Sequence, residues 1–307
     1  GLTATPSRAD NADLLALCSD NLVYDCGLVE GVNRQLLSSF RYRAIPDIAD
    51  YKHIPWRGGR FDVEELTAQI ATQERAQQVL DEWSALGGPS RRALGFCCTI
   101  AHADFMADFF RRNGVAAVAV HSGGSSSPRT ESIDRLEAGP LSVLFTVDLF
   151  NEGLDVPSID LVMMLRPTES GVVFLQQLGR GLRKSENKQV LEIVDLVGNH
   201  RSFLLKARLL AELAGYRNLT DREAVDLISG NDDKVEWLTE LPEGCSIIIE
   251  PEVVDLLQEL VGPASASDRL VDLVRQWVDD HGGRRPTALE LAIVSGRPFS
   301  LKQQGGW

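Results

Sequence analysis

The amino-acid sequence predicts an α/β fold of the doubly wound kind, in which helices cover both faces of a parallel β-sheet. The first observation is that continuous apolar runs alternate with helical patterns in the middle third of the chain. Strands that are apolar at every position are typical of a sheet covered on both sides. The second is that the helical patterns carry start and stop signals, with Thr99 as a candidate N-cap, Pro128 as a first-turn proline and Gly139 as a terminator. The domain is predicted over 88–215.

These patterns place five strands and three helices. The predicted strands are 93–98, 116–120, 141–146, 160–165 and 189–197. The helices are predicted over about 100–113, 128–138 and 171–180, each between two strands. In such sheets the loops that bind ligands follow the carboxyl ends of the strands.

The segments before this domain have weaker patterns. Residues 1–35 mix helix and strand without a complete domain. Residues 36–87 contain Pro46, Pro55 and a Gly58-Gly59 pair, which are typical of a connector. A single helix over about 62–86 follows and is expected to dock on the α/β domain.

Residues 216–307 are predicted to form an acidic, mainly helical accessory region. They begin with a capping-box pattern from Thr220 to Glu223. Short helical patterns then surround the segment "CSIIIE", and acidic residues outnumber basic ones. A role in packing or in docking a protein partner is expected for this region.

Composition limits the class of protein. The chain has 307 residues, 44% hydrophobic and 24% charged, as in ordinary globular proteins, and no apolar run of 18 residues. Five cysteines without a C-x-x-C pair favour buried thiols and a cytoplasmic location over a metal site. A net charge of −13 argues against non-specific adhesion to nucleic acid by the whole surface. The start "GLTATP" is expected to be a cut within a longer protein.

The segment "QQLGRGLR" places Arg180 and Arg183 just behind a predicted helix. Guanidinium groups delivered across an interface can stabilise charge that develops on a transferring phosphoryl group. Solvated arginines, or a pair with Glu186, are the alternative. We expect both arginines at one edge of the sheet, together with the acidic turn "NEGLDVP" that contains Gly153 and Asp155.

Hydroxyl and imidazole groups follow the other strands of the predicted sheet. They are Thr99, His102, His121, Ser122 and Thr146. At helix N-termini and strand ends such groups can bind phosphate oxygens. The alternatives stay open: the histidines can be ordinary hydrogen-bonded residues, Asp155 can cap a turn, and "HSGGSSSP" can be a flexible loop.

Four segments together resemble superfamily 2 helicases. Gln176, Gly179, Arg180 and Arg183 match the Q-x-x-G-R-x-x-R of motif VI, and 146–157 matches motif V. The ends of two earlier strands resemble motif IV and its neighbouring loop, and "GLTATP" resembles motif III. The forms "LFNEGLDVP" and "LGRGLR" are most similar to the branch that contains restriction-enzyme translocases and bacterial DNA helicases.

The resemblance implies a RecA-like second motor domain, with residues 1–35 as the end of the first. ATP with Mg²⁺ would be bound mainly by that first domain, and DNA rather than RNA would be the tracked partner. Arg180 and Arg183 would contact the γ-phosphate, and Gln176 would act beside them. The other implied contacts divide into two sets. The nucleotide and its coupling to movement would involve Gly153, Asp155, Thr3 and Thr5; the strand would be bound by Thr99, His102, His121, Ser122 and Thr146.

Two nucleotide-binding elements are absent from the sequence. No G-x-x-x-x-G-K-[ST] loop occurs, and the acidic Mg²⁺-binding motif is missing as well. The expected function is therefore the C-terminal part of an ATP-dependent DNA helicase or translocase, without ATP hydrolysis by this chain alone. An RNA helicase and a non-catalytic interaction module are the alternatives.

Overall fold

The computed structural model describes residues 26–58, 60–147, 156–167, 170–186, 188–230 and 241–262, with isolated positions between 274 and 290. The chain divides into two compact units, Gly1–Leu260 and Val261–Trp307. The first contains the sheet and the predicted motifs.

A seven-stranded parallel sheet forms the centre of the first unit. Its order is β5-β6-β4-β7-β8-β1-β9. The strands are β1 (Ser39–Pro46), β4 (Ala93–Phe96), β5 (Ala117–Val120), β6 (Val143–Thr146), β7 (Leu161–Met164), β8 (Val190–Val197) and β9 (Ser246–Ile249), and a separate hairpin joins β2 (Trp56–Arg57) and β3 (Arg60–Phe61). Every residue of β4 to β7 is buried, as their continuous apolar sequences predict. The doubly wound α/β prediction is confirmed.

Nine helices of the described chain surround the sheet or extend it. They are α1 (Leu28–Asn33), α2 (Val63–Ile70), α3 (Gln73–Ala85), α4 (Ile100–Arg112), α5 (Arg129–Ala138), α6 (Gly171–Gly181), α7 (Leu204–Leu213), α8 (Asp221–Ile228) and α9 (Pro251–Val261). Thr99 caps α4, and Gly139 ends α5 with a φ of 95°. The capping box from Thr220 to Glu223 is present at α8. These three start and stop signals are confirmed.

The segment predicted as a connector belongs partly to the sheet. Strand β1 pairs in parallel with β8 over eight residues, from Ser39 with Val190 to Pro46 with Val197. Its inward residues alternate with arginines along the strand, because β1 lies near the edge and exposes part of one face.

The helix predicted over 62–86 is two helices, α2 and α3. Asp62 caps the first through the backbone N–H groups of Glu64 and Glu65. Thr72 caps the second, because its hydroxyl accepts a hydrogen bond from the N–H of Arg75. A second capping residue within the pattern therefore ends one helix and starts another.

The "CSIIIE" segment, around which short helices were predicted, forms a strand. It contains strand β9, which pairs in parallel with β1 between Arg41 with Ser246 and Ala44 with Ile249. Three consecutive isoleucines favour a strand because their branched side chains fit a pleated surface. The sheet therefore extends into the region predicted as a helical accessory.

The two faces of the sheet carry different interiors. Helices α3 and α4 pack on one face over a large apolar cluster that includes Trp83, Phe110 and Phe145. The other face carries Tyr42 and Asp195, against which α6 and α7 contribute Phe174 and Lys206. Alternation along each strand sends neighbouring residues to opposite faces and so creates this division.

Asp195, Lys206 and Tyr42 form a buried polar triad on the second face. The ammonium group of Lys206 and the hydroxyl of Tyr42 both donate to the carboxylate of Asp195. Burial raises the pKa of Asp195 above its ordinary value, although the neighbouring ammonium opposes this shift. The triad joins β1, β8 and α7, so an ion pair holds the helix on the sheet.

The second unit is described at only a few positions. Thr287 and Glu290 form a reciprocal cap there, since the N–H of Glu290 donates to Oγ1 of Thr287 at 3.3 Å and the N–H of Thr287 donates to Oε2 of Glu290 at 2.8 Å. Arg284 lies 2.7 Å from Oε1 of the same glutamate. Thr287 and Glu290 thus form the pair of hydrogen bonds that defines a capping box.

Among the described helices, none combines the length and the apolar composition that crossing a bilayer requires.

Candidate functional site

The predicted functional residues lie at two opposite edges of the sheet. Thr99 follows β4, His121 follows β5 and Thr146 ends β6, so all three lie where the parallel strands end. We call this side of the sheet the carboxyl edge. Helix α6 follows β7 and runs back to the beginning of β8. Arg180 and Arg183 therefore lie on the side of the sheet where the parallel strands begin, which we call the amino edge. The arginines therefore lie at the opposite edge from Thr99, His121 and Thr146, because a helix between two parallel strands must reverse direction.

The backbone around Arg183 is fixed by the segment that enters β1. Leu37 forms an isolated antiparallel bridge with Arg183. The N–H of Ser38 donates to the carbonyl of Leu182 at 2.7 Å, and its hydroxyl donates to the carbonyl of Arg183 at 3.2 Å. Both bonds tie the end of the arginine segment to the amino edge of β1.

Helix α6 presents the predicted phosphate-binding residues on a partly exposed side. Gln176 and Arg180 are separated by four residues, so they lie on the same side of the helix, and both are partly exposed. Arg183, beyond the helix end, is also partly exposed. All three side chains are therefore partly accessible to solvent, with Arg180 and Arg183 nearest the amino edge.

Gly181 explains how close this helix approaches the sheet. A Cβ atom there would lie 2.5 Å from Cδ1 of Leu191 and 3.1 Å from Cγ2 of Val162. A larger residue would fit here only if the side chain of Leu191 moved. Gly179 has no atom within 4 Å of the equivalent point, so the first glycine of "GRG" has no such packing requirement.

Lys188 connects the end of helix α6 to the acidic turn "NEGLDVP". Its ammonium group donates to the carbonyl of Gly181 and to the carbonyl of Pro157, both at 2.8 Å. Burial lowers the pKa of Lys188 to about 8, while the carboxylate of Asp160 opposes the shift. Gly153 and Asp155 precede Pro157 but lie outside the described residues, as do Thr3 and Thr5. The sequence patterns did not single out Lys188, because its two partners are backbone atoms of distant segments.

At the carboxyl edge, Thr99 and Ser122 are accessible. The hydroxyl of Thr99 accepts from the N–H of His102 at 3.1 Å and lies 3.0 Å from the hydroxyl of Thr67. Thr99 is partly exposed and Ser122 is exposed. Thr99 thus caps helix α4 at a partly exposed position, and the N-terminus of a helix is a place where an anion can bind.

The side chain of His121 lies inside the loop that follows β5. Its Nε2 lies 2.9 Å from Oδ1 of Asp104, and its Nδ1 accepts from the N–H of Gly123 at 3.1 Å. Ser125 donates to the other oxygen of Asp104 at 2.7 Å. The imidazole therefore organises the serine-rich loop, and its burial does not agree with the predicted direct contact with a strand.

His102 and Thr146 are also fully buried, so the predicted direct contacts are not possible for their side chains in this arrangement. The hydroxyl of Thr146 lies 2.9 Å from the carbonyl of Val120, which it uses as an acceptor. The ring of His102 lies between the guanidinium of Arg75 and the backbone of Cys98. Both residues support the carboxyl edge from below.

Arg75 and Asp47 form a buried ion pair beneath this edge. The Nε of Arg75 lies 2.9 Å from Oδ1 of Asp47, and its Nη2 lies 2.9 Å from Oδ2 and 2.9 Å from the carbonyl of Leu165. Tyr51 donates to the same carboxylate at 2.6 Å. Burial would raise the pKa of Asp47, but the charge and hydrogen bonds of Arg75 outweigh it and lower that pKa. The pair links β1, α3 and the end of β7.

The ring of His102 is held in its neutral form. Burial lowers the pKa of His102 well below its ordinary value, and the charge of Arg75 lowers it further. Its Nε2 lies 3.3 Å from Nη1 of Arg75 and its Nδ1 lies 3.4 Å from the N of Cys98. Both neighbours are donors, and an imidazolium has no acceptor for either of them.

This arrangement predicts a loss of stability in mild acid. Below about pH 6.5 the unfolded chain protonates His102 and the folded chain does not, so the unfolded state binds more protons and the free energy of unfolding falls as pH falls. We expect His102 to contribute up to about 1.4 kcal/mol per pH unit below that point. Urea unfolding at several pH values between 7 and 5 measures the slope.

A His102→Asn variant should show a shallower slope, whatever its absolute stability. His53→Asn serves as the matched control, because the side chain of His53 is 89% exposed and should leave the slope unchanged. Equal slopes in wild type and His102→Asn would contradict a neutral buried imidazole.

Among the described residues, no group of three or more His, Cys, Asp or Glu side chains is arranged to hold a metal ion.

Comparison with known proteins finds similar helicase domains. Residues 74–185 match the family of the helicase conserved C-terminal domain. The Saccharomyces cerevisiae protein IRC3, which is named as an ATP-dependent helicase, is 28% identical over 200 residues, covering 64% of this chain and 29% of that protein. UvrABC system protein B of Methanosphaera stadtmanae is 28% identical over 212 residues, covering 66% of this chain and 32% of that protein. The chain thus spans about a third of the length of these two curated relatives.

A solved structure supports the fold. A fragment from Vibrio vulnificus YJ016, described as the HsdR subunit of a type I restriction enzyme, superimposes with a TM-score of 0.51. The two are 21% identical, over 82% of this chain and 44% of that fragment.

The fold and the motif order define a RecA-like α/β domain of the helicase type. Residues 74–185 match the helicase conserved C-terminal domain, so the resemblance to superfamily 2 helicases predicted from the motifs is confirmed.

Proposed function

We propose that this chain is the second motor domain of an ATP-dependent DNA helicase or translocase, with the nucleotide at the amino edge of the sheet and the tracked strand at the carboxyl edge. Arg180 and Arg183 would contact the phosphates of ATP held by a first motor domain, with Gln176 beside them. A separation of the two sites across one sheet allows nucleotide-dependent movement of the domain to displace the strand.

The observation that carries this proposal is the link through Lys188. It holds the carbonyl of Gly181, one residue after Arg180, and the carbonyl of Pro157, two residues after Asp155. The arginines and the acidic turn are therefore connected across a single buried side chain. Gly153, Asp155, Thr3 and Thr5 remain proposed nucleotide contacts on the motif match alone.

The amino edge offers chemistry that fits a nucleotide. Two partly exposed guanidiniums and a glutamine amide provide donors for phosphate oxygens, and guanidinium charge is permanent at neutral pH. ATP with Mg²⁺, when bound by the neighbouring domain, supplies the phosphoryl group that is transferred to water. The residues of this chain orient and neutralise that group, and closure of the two domains excludes bulk water.

The carboxyl edge offers backbone and hydroxyl donors for the strand. Thr99, Ser122 and the N–H groups at the start of α4 would bind successive phosphates, while His102, His121 and Thr146 hold the loops in position. The acidic character of the chain and the motif forms "LFNEGLDVP" and "LGRGLR" favour DNA over RNA. A cytoplasmic location and a protein partner for residues 216–307 are further parts of the proposal.

ATP hydrolysis by two forms of the protein tests the proposal. The 307-residue chain alone should give no turnover above background, because half of the nucleotide site lies on another domain. The full-length gene product should hydrolyse ATP, with stimulation by DNA. Release of inorganic phosphate with single-stranded DNA, duplex DNA and RNA measures both. Turnover by the isolated chain, or stimulation by RNA alone, would contradict the proposed site or the proposed substrate.

A further inference from the structure

The hairpin formed by β2 and β3 carries an exposed aromatic and basic surface that the proposed strand contacts do not use. We define the hairpin platform as Trp56, Arg57, Arg60, Phe61 and His200. Trp56 is 38% exposed. Its ring centroid lies 4.6 Å from that of Phe61 and 4.8 Å from that of His200. One large ring is thus fixed by two others and still open to solvent.

Anchoring residues fix the platform at the carboxyl edge. The ring of Tyr51 packs against Phe61 with centroids 5.8 Å apart, and the Tyr51 N–H donates to Oδ1 of Asn199 at 2.7 Å. A Cβ on Gly198 would lie 2.3 Å from the ring of Tyr51, so the contact with the end of β8 is close. The hairpin is therefore attached to the carboxyl ends of β1 and β8.

The platform continues directly toward the proposed strand contact at Thr99. Helix α2 begins after Phe61, and Thr67, one turn inside this helix, lies 3.0 Å from the hydroxyl of Thr99. One helical turn is about 5.4 Å, so the hairpin and Thr99 are separated by a short distance along one edge.

The two arginines of the hairpin are directly opposed. Arg57 pairs with Arg60 across the strands, and both side chains are exposed. Like charges in such a pair repel each other. Among the described residues neither has a carboxylate within ion-pair distance, although Asp62 and Glu64 line the same cleft of about 400 Å³. A polyanion would remove the repulsion.

We propose that the hairpin platform binds single-stranded nucleic acid, with a base stacked on Trp56 and neighbouring phosphates on Arg57 and Arg60. Every base has a face that can stack on an aromatic ring, so this contact needs no particular sequence. Stacking requires a base that is free of its duplex partner, which favours a single strand over a duplex. The inference rests on the proposed function, since it extends the path of the tracked strand by one further contact.

Fluorescence anisotropy of a labelled oligo(dT) with the 307-residue chain tests this proposal. Trp56→Ala should weaken binding about tenfold, as the loss of one stacked base predicts. Trp56→Phe should retain most of the affinity, because a phenyl ring also stacks. The double variant Arg57→Ala with Arg60→Ala should reduce the slope of log affinity against log salt by about 1.4, from two lost phosphate contacts on a single strand.

Two controls separate stacking and local charge from general effects. Lys184→Ala removes an exposed cation at the amino edge, and Ile248→Ala removes an exposed apolar side chain of β9. Neither should change binding more than about twofold, the usual margin for surface positions. Circular dichroism and thermal melting of each variant confirm that it is folded.

Three results would overturn the hairpin platform as a strand-binding surface. They are wild-type affinity in Trp56→Ala with an unchanged salt slope in the arginine double variant, equal losses for duplex and single strand, and no binding by wild type up to about 100 μM, the weak end of non-specific affinity. In the first case the strand is bound elsewhere, and a partner protein becomes the occupant of the platform. None of these results depends on ATP hydrolysis by the full-length protein, so failure here and failure of the motor function are distinguishable.

Discussion

Replacing Arg180 or Arg183 by alanine in the full-length gene product is expected to lower kcat for ATP hydrolysis about 10³-fold while leaving DNA affinity within about twofold. Arginines supplied to a transferring phosphoryl group accelerate hydrolysis by about this factor or more in other NTPases. Both residues lie at the amino edge, across the sheet from Thr99 and Ser122. Steady-state phosphate release and oligonucleotide anisotropy on the same preparations measure the two effects.

Because the arginines and the proposed strand contacts lie at opposite edges of the sheet, loss of an arginine is expected to lower kcat and not DNA affinity. A residue that acts only as charge on the transferring group changes kcat and kcat/KM together and does not change the binding of the strand. Arg180→Lys should not restore the rate, because an ammonium group cannot reproduce the planar fork of a guanidinium. Recovery of most activity by lysine would indicate a general electrostatic role.

Lys184→Ala provides the matched control for these variants. Lys184 is an exposed cation one residue beyond Arg183, on the same segment. If Lys184 contributes only to the electrostatic potential at the amino edge, its loss should change kcat by less than about twofold, because exposed charges are strongly screened. A loss of DNA affinity equal to the loss of kcat in Arg180→Ala would instead place these arginines on the strand.

The central strands and their helices were predictable because each carries its signal locally. Strands β4 to β7 are apolar at every position, and Thr99, Gly139 and Thr220 mark helix boundaries within a few residues of the pattern they limit. Such local signals survive because the sheet buries both faces of each strand.

The outer part of the sheet was not predictable in the same way. The pairing of β1 with β8 joins residues about 150 positions apart, as in the bond between Arg41 and Glu192. The alternation of Phe40, Tyr42 and Ala44 with polar residues is typical of a half-exposed strand, but the prolines and glycines that follow favoured a connector. Whether this segment is a strand or a connector depends on its pairing with β8, which lies far along the sequence.

The sequence placed polar residues at the ends of the strands but did not predict which of them are exposed. Thr99 and Ser122 are accessible, but His102, His121 and Thr146 are buried in polar contacts below the edge. Polar residues at strand ends serve equally as ligand contacts and as supports for loops, and only burial separates the two uses. The buried charge of Arg75 had a signal: with Val79 and Trp83 it follows the four-residue spacing of the buried stripe of α3.

The second large expected effect concerns Arg75 and the stability of the fold. Arg75→Met should lower the free energy of unfolding by about 3 to 5 kcal/mol, because the carboxylate of Asp47 would remain buried without its counter-ion. The side chain of Arg75 is 1% exposed and that of Asp47 is fully buried, so water cannot take the place of the lost guanidinium. Urea denaturation at neutral pH, with the m-value checked for two-state behaviour, measures the change.

A double-mutant cycle with Asp47→Asn separates the effect of the unpaired Asp47 carboxylate from the effect of the lost Arg75 packing. Asparagine keeps an oxygen for the hydroxyl of Tyr51 and carries no charge, so the double variant should be more stable than Arg75→Met alone. Arg112→Met is the control for an exposed pair, since Arg112 contacts Asp108 at 2.5 Å on the surface of α4 and should cost at most about 1 kcal/mol. If Arg75→Met were as mild as Arg112→Met, the ion pair would not be the support of the carboxyl edge. If the double variant were no more stable than the single one, the lost packing rather than the unpaired carboxylate would account for the effect.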